Sequence, residues 1–124
     1  MRILIAEDDE TVRTMLKNVL SGAGYRVVEA RDGHDAEKKY IDYEAEISLL
    51  VFDVIMPNKN GKQAYDAIRR RRPDMKCLFL SGYTADIINE TGISEEEGGF
   101  LQKPVMPVLL LKKIREILDS HQKK

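Results

Sequence analysis

Glu7, Asp8, Asp53, Ser81 and Lys103 are side chains of the kinds that hold a divalent cation and a phosphoryl group, and each stands at the end of a short apolar run. Ile3-Leu4-Ile5-Ala6 leads into Glu7-Asp8-Asp9, and Leu49-Leu50-Val51-Phe52 into Asp53. Cys77-Leu78-Phe79-Leu80 leads into Ser81-Gly82, and Phe100-Leu101-Gln102 into Lys103-Pro104. If the runs are parallel strands, all four polar groups emerge at one sheet edge. Carboxylates gathered there repel one another and raise at least one pKa, a penalty that a hard cation removes. With few carboxylates and room for water and phosphate oxygens, Mg²⁺ suits such a site better than a fully caged Ca²⁺. Lys103 supplies a point charge that pairs with a carboxylate at rest and with a phosphoryl oxygen later. Ser81 can donate to a second phosphoryl oxygen, and Asp53, between metal and lysine, can attack a phosphoryl donor to give an aspartyl phosphate. His34, His121 and the single Cys77 are too scattered to make a zinc site.

These runs alternate with helical patterns. Val12, Met15, Leu16, Val19 and Leu20 recur at helical spacing up to Ser21-Gly22 and Gly24. A second strand is expected over Tyr25 to Ala30, at a sheet edge. Asp32-Gly33 turns the chain into a weaker helix through Ala36 and Tyr40. Ser48 to Phe52 is an apolar run of the sort that is covered on both faces. A loop from Ile55 to Gly61 carries Pro57 and two asparagines, and the helix through Ala64, Ala67 and Ile68 stops at Pro73. Lys76 to Leu80 is the expected fourth strand. A short helix is expected from Thr84 to about Gly92, an acidic loop over Ser94 to Gly99, and a short fifth strand at Phe100-Leu101. Pro107 suits a first helical turn, and Leu110, Leu111, Ile114, Ile117 and Leu118 give the last helix its buried stripe. Five strands alternating with five helices imply βαβ units and a single doubly wound α/β domain over 1–124. In such sheets ligands bind beyond the carboxyl ends of the strands, where the strand order reverses.

Composition narrows the function. The chain has 124 residues and a formal net charge of -1, so no overall field draws it to nucleic acid or anionic membranes. The apolar run at the N-terminus is too short for a signal peptide, and none is long enough to span a membrane, so the expectation is a cytoplasmic domain. Simpler readings exist for individual residues. Asp9-Glu10 suits a helix N-cap, the cations from Arg69 to Arg72 suit the end of a helix, Cys77 suits a core position, and the two histidines suit the surface.

Taken together, Ile3-Leu4-Ile5-Ala6-Glu7-Asp8-Asp9, Asp53-Val54-Ile55-Met56-Pro57 with Gly61, Leu80-Ser81-Gly82-Tyr83 and Phe100-Leu101-Gln102-Lys103-Pro104 resemble the receiver domain of two-component response regulators across the whole chain. The resemblance implies a flavodoxin-like five-stranded sheet of order 2-1-3-4-5. It implies Asp53 as phosphoacceptor, and Mg²⁺ bound by Asp8 and Asp53 directly, by Glu7 through water and by the backbone carbonyl of Ile55. Ser81 matches the switch hydroxyl, Phe100 the switch aromatic and Lys103 the active-site lysine. The implied donor is a phosphohistidine of a histidine kinase or phosphotransfer domain. The implied output is a change on the face built from the fourth helix, fifth strand and last helix, toward an output domain or protein, with a homodimer through that face as one option. The Ser81-Gly82-Tyr83-Thr84 segment is similar to receivers of hybrid histidine kinases, so the parent could be such a kinase, membrane-anchored or not. The isolated domain would catalyse only its own phosphorylation and dephosphorylation.

The chain departs from the family pattern in five ways, one of them Ile55, two residues after Asp53, whose side chain cannot hydrogen-bond an attacking water. Glu7 replaces the commoner aspartate, Ser81 lacks the methyl of the usual threonine, Phe100 lacks a hydroxyl, and Val105 stands where an aromatic often follows Lys-Pro. Two other classes share the chemistry. A phosphatase with an aspartate nucleophile usually carries a second aspartate two positions on, where this chain has Ile55. A degenerate receiver would serve as a docking module without phosphorylation.

Overall fold

The computed structural model describes residues 1–82 and 99–122. Its strands are β1 (Arg2–Ala6), β2 (Arg26–Ala30), β3 (Ile47–Asp53), β4 (Cys77–Ser81) and β5 (Phe100–Gln102), and its described helices are α1 (Glu10–Gly22), α2 (Gly33–Asp42), α3 (Gly61–Arg71) and α4 (Pro107–Gln122). All neighbouring strands are parallel and the sheet order is β2-β1-β3-β4-β5. This is the doubly wound, flavodoxin-like arrangement, and its order reverses between β1 and β3. The helix expected from Thr84 to Gly92 and most of the acidic loop lie outside the described residues.

Side-chain alternation along the strands builds two cores, one on each face. Ile3 and Ile5 of β1 join Leu49, Val51, Leu78 and Leu80 beneath Leu16 and Leu20 of α1 and Leu110, Ile114, Ile117 and Leu118 of α4. Leu4 and Ala6 point the other way, with Leu50, Phe52 and Phe79, against Ala36 and Tyr40 of α2 and Ala64, Tyr65 and Ile68 of α3. Tyr65 and Phe79 meet edge to face at 5.4 Å. Such burial on both faces explains why β3 reads as an almost unbroken apolar run.

Local chemistry sets the boundaries. The Asp9 carboxylate accepts from the Thr11 and Val12 N–H groups and caps α1. At the other end of α1, Gly24 takes φ +96° and the Tyr25 N–H still donates to the Leu20 carbonyl, so β2 begins at Arg26 instead of Tyr25. Asp32 proves to be the N-cap of α2, with Gly33 its first residue. Asn60 and Gln63 form a reciprocal capping box at the start of α3. Asp53 and Ser81 are the last residues of β3 and β4, one position further into the sheet than the expected strand ends, because Asp53 pairs with Leu80 and Ser81 with Gln102.

The cations at the end of α3 have structural partners. Arg71 pairs with Glu44 at 2.9 Å, Arg72 donates to the Ile47 carbonyl at 2.8 Å, and Arg69 lies over the Tyr65 ring. Cys77 is buried, its thiol pushed well above its ordinary pKa by burial, and His34 is exposed. No described helix is long and apolar enough to cross a membrane.

Candidate functional site

The carboxyl ends of β1, β3, β4 and β5 bring together residues far apart in the chain. Glu7 follows β1 with its N–H donating to the Ala30 carbonyl, which continues the β1–β2 pairing one residue past the strand. Asp8 comes next and faces solvent, while Asp9 turns away to cap α1. Glu7, Asp8 and Asp53 each offer a carboxylate oxygen within 4.8 Å of the others. The Lys103 ammonium stands 3.0 Å from a Glu7 oxygen and 3.2 Å from an Asp53 oxygen. Lys103 is brought there by its own N–H, which donates to the Ser81 carbonyl at 2.7 Å and so extends the β4–β5 ladder past β5. The Lys103–Pro104 peptide is cis.

Glu7, Asp53 and Ser81 are the buried polar residues among those described, at 1%, 5% and 2% exposure. Burial is the largest influence on both acids. It pushes Glu7 up to about 7, against the pull of the Lys103 hydrogen bond and with a further push from the Asp53 charge. Burial likewise raises Asp53, opposed by Lys103 and assisted by the charge of Asp8. For Lys103, burial works against the charge, but the hydrogen bond to Glu7 and the charges of Asp53 and Glu7 outweigh it and raise its pKa. The electrostatic picture is a site with more negative charge than one lysine can satisfy.

A hard cation fits that imbalance. The donors are carboxylate oxygens, Asp8 is open to solvent, and no cysteine or histidine joins them among the described residues.

Of the other residues singled out in the sequence, Ser81 is buried at the end of β4, beside Lys103 in the backbone ladder. Phe100 opens β5 opposite Phe79 and packs, partly buried, against the core under α2 and α3. Ile55 lies two residues beyond Asp53 and is 58% exposed. Tyr83 falls outside the described residues. Sequence reasoning missed Arg13, whose guanidinium donates to the Glu7 carbonyl at 2.8 Å and lies 3.7 Å from Glu29. Its signal was weak, since an arginine in the second turn of an amphipathic helix is ordinarily a solvated residue. Also missed was the apolar groove of about 450 Å³ that opens beside Lys103, lined by Val12, Met15, Pro104 and Val105.

The response regulator receiver domain profile matches residues 3–115. The sensor kinase CckA of Brucella abortus is 32% identical over 95% of this chain, which spans only 12% of that kinase. The receiver protein CpdR of the same organism is 32% identical over 94% of the chain and 96% of its own length. Among solved structures, the receiver domain of the hybrid histidine kinase CckA superposes with a TM-score of 0.80 at 33% identity, covering 95% of this chain and 99% of that one. The Vibrio cholerae chemotaxis protein CheY4 gives 0.83 at 30% identity, with 94% and 98% covered. The doubly wound sheet with an acidic cluster and a lysine at its switch point agrees with these matches, and the chain belongs to the response regulator receiver domain family of two-component systems, whose members generally bind Mg²⁺ in such an acidic cluster. The relatives include both single-domain regulators and kinases in which such a domain is a small part.

Proposed function

We propose that Asp53 is the phosphoacceptor of a phosphorelay and that its donor is a phosphohistidine on a histidine kinase or phosphotransfer domain. The observation that carries this is the Lys103 ammonium lying between the Glu7 and Asp53 carboxylates, with Asp8 within reach of both acids. Glu7, Asp8, Asp53 and the Ile55 carbonyl are the groups to hold Mg²⁺, which when bound neutralises charge on the phosphoryl oxygens and on the attacking carboxylate. An Asp53 oxygen forms a bond to phosphorus, the phosphorus–nitrogen bond breaks, and the imidazole keeps the electron pair and takes a proton from solvent. Lys103 moves from its carboxylates onto a phosphoryl oxygen, and Ser81 donates to another. With Ser81 drawn in, Phe100 turns toward the space it leaves, and the face to which β5 and α4 contribute changes its partners. Because Phe100 lacks a hydroxyl, its two positions differ by packing alone. On this reading the domain turns over nothing but its own phosphoryl group, and the output lies in another domain or protein.

Incubation with acetyl phosphate and Mg²⁺ should add one phosphoryl group by intact-mass analysis, and Asp53→Asn should add none. Equal labelling of the variant would overturn the assignment of Asp53. Absence of labelling together with absence of Mg²⁺ binding in the parent would instead favour a docking module.

A further inference from the structure

The loop from Val54 to Asn60 holds the Ile55 carbonyl, and the structure ties it down from three directions. At its base, the Val54 N–H donates to the Leu80 carbonyl and the Gly61 N–H to the Val54 carbonyl, both at 2.9 Å. On the α3 side, Asn60 and Gln63 exchange hydrogen bonds of 2.8 and 2.9 Å. The third set of ties comes from α2, which has no residue in the acidic cluster. The Asp32 carboxylate uses one oxygen to cap α2 through the Asp35 N–H at 2.8 Å, and the other to accept from the Asn58 side-chain amide at 2.9 Å. The Gly33 N–H donates to the Lys59 carbonyl at 2.9 Å, and a Cβ on Gly33 would lie 2.2 Å from that oxygen. The Lys59 ammonium is ion-paired with Glu37, one turn into α2.

Two details show that these ties shape the loop. Asn58 is the one described residue other than glycine with positive φ, at 68°, a conformation its amide to Asp32 helps to hold. The Asp32 carboxyl is kept below its ordinary range by the Asp35 N–H and then by the Asn58 amide, so it is charged when it makes both bonds. Between the ties, Met56 is buried in the core and Ile55 is left at the crest.

We propose that Asp32, Gly33 and Glu37 of α2, acting through Asn58 and Lys59, are positioning residues for the cation site, holding the Ile55 carbonyl ready for Mg²⁺. This rests on the phosphoacceptor reading above. Groups behind the ligands that restrict their orientation commonly govern metal affinity, because a ligand ordered in advance loses less freedom on binding.

The test is calorimetric titration of the whole domain with MgCl₂. Asn58→Gly keeps the positive φ accessible and removes only the amide, and Glu37→Gln removes the ion pair at nearly constant size. Each single variant should weaken Mg²⁺ binding by about threefold, and the double variant by about tenfold, the lower end of what losing such supporting contacts costs. The charge-swapped pair Glu37→Lys with Lys59→Glu should regain most of the loss. Glu44→Gln, which breaks an ion pair with Arg71 at the far end of α3 and removes the same charge, should leave the affinity unchanged. A double variant that binds as tightly as the parent, or an equal loss in Glu44→Gln, overturns the proposal. If the double variant does not fold, the single variants decide by the same criterion. A parent that binds no Mg²⁺ would sink the phosphoacceptor reading itself, whereas a binding parent with indifferent variants would sink only the α2 clamp.

Discussion

At Glu7 the environment opposes the charge that a metal site requires. The folded protein holds this carboxyl at about 7 against an ordinary 4.5, chiefly by burial, and Asp53 is shifted in the same direction. Between those two values the folded chain binds more protons than the unfolded one, so stability is greatest at the acid end and is lost as pH rises. Denaturant titrations of the cation-free protein from about pH 5 to about pH 7.5 should show a decline on the order of 1–3 kcal/mol. Glu7→Gln should flatten that slope, and an unchanged slope would place the titrating group elsewhere. Lys103 moderates the effect without cancelling it, because a single ammonium is shared between two buried acids.

At the scale of elements, the site depends on how closely the chain turns after β3. A Cβ on Gly61 would lie 2.2 Å from the Asp53 carbonyl oxygen, a backbone atom that cannot yield without moving the end of β3. Gly61→Ala should therefore cost about 1–3 kcal/mol, read as a lower melting temperature. A Cβ on Gly22, at the end of α1, would meet nothing within 4 Å, and Gly22→Ala should be neutral or stabilising by up to about 1 kcal/mol. Equal losses in the two variants would count against close approach as the reason for Gly61. Elements were the most legible part of the sequence. The stripe of Leu110, Ile114, Ile117 and Leu118 and the apolar run of β3 reported their burial directly, because periodicity and core contact are the same fact seen twice. Their ends were less legible. Whether Asp53 and Ser81 close their strands or follow them depends on pairing with Leu80 and Gln102, which lie far along the chain on the neighbouring strands.

The whole molecule carries a local excess of negative charge although its formal net charge is only -1. Removing one carboxylate should thus stabilise the cation-free fold. Asp8→Asn is expected to raise its melting temperature by about 2–4 °C, corresponding to about 0.5–1 kcal/mol. Addition of Mg²⁺ should raise the melting temperature of the parent and do little for the variant, since only a bound ion adds stability by linkage. A cation-free variant that melts at or below the parent would contradict the idea that repulsion in this cluster limits stability. Differential scanning calorimetry with and without Mg²⁺ provides both comparisons.

Much of this protein is determined by neighbours along the chain. Strand and helix identity, the caps at Asp9 and Asn60, and the placing of Glu7, Asp8, Asp53, Ser81 and Lys103 at strand ends all follow from spacing and residue type, which act over a few residues. The βαβ alternation restricted the sheet to few topologies, and the family resemblance pointed to the order that the structure has. Only the tertiary structure decided what required contact between distant segments. Lys103 meets Glu7 across 96 residues, burial raises the Glu7 carboxyl, Arg13 grips the Glu7 carbonyl, and α2 clamps the loop beside Asp53 through Asn58 and Lys59. Desolvation and ion pairing are properties of the packed chain, set by what surrounds a group in space, and no local pattern encodes them.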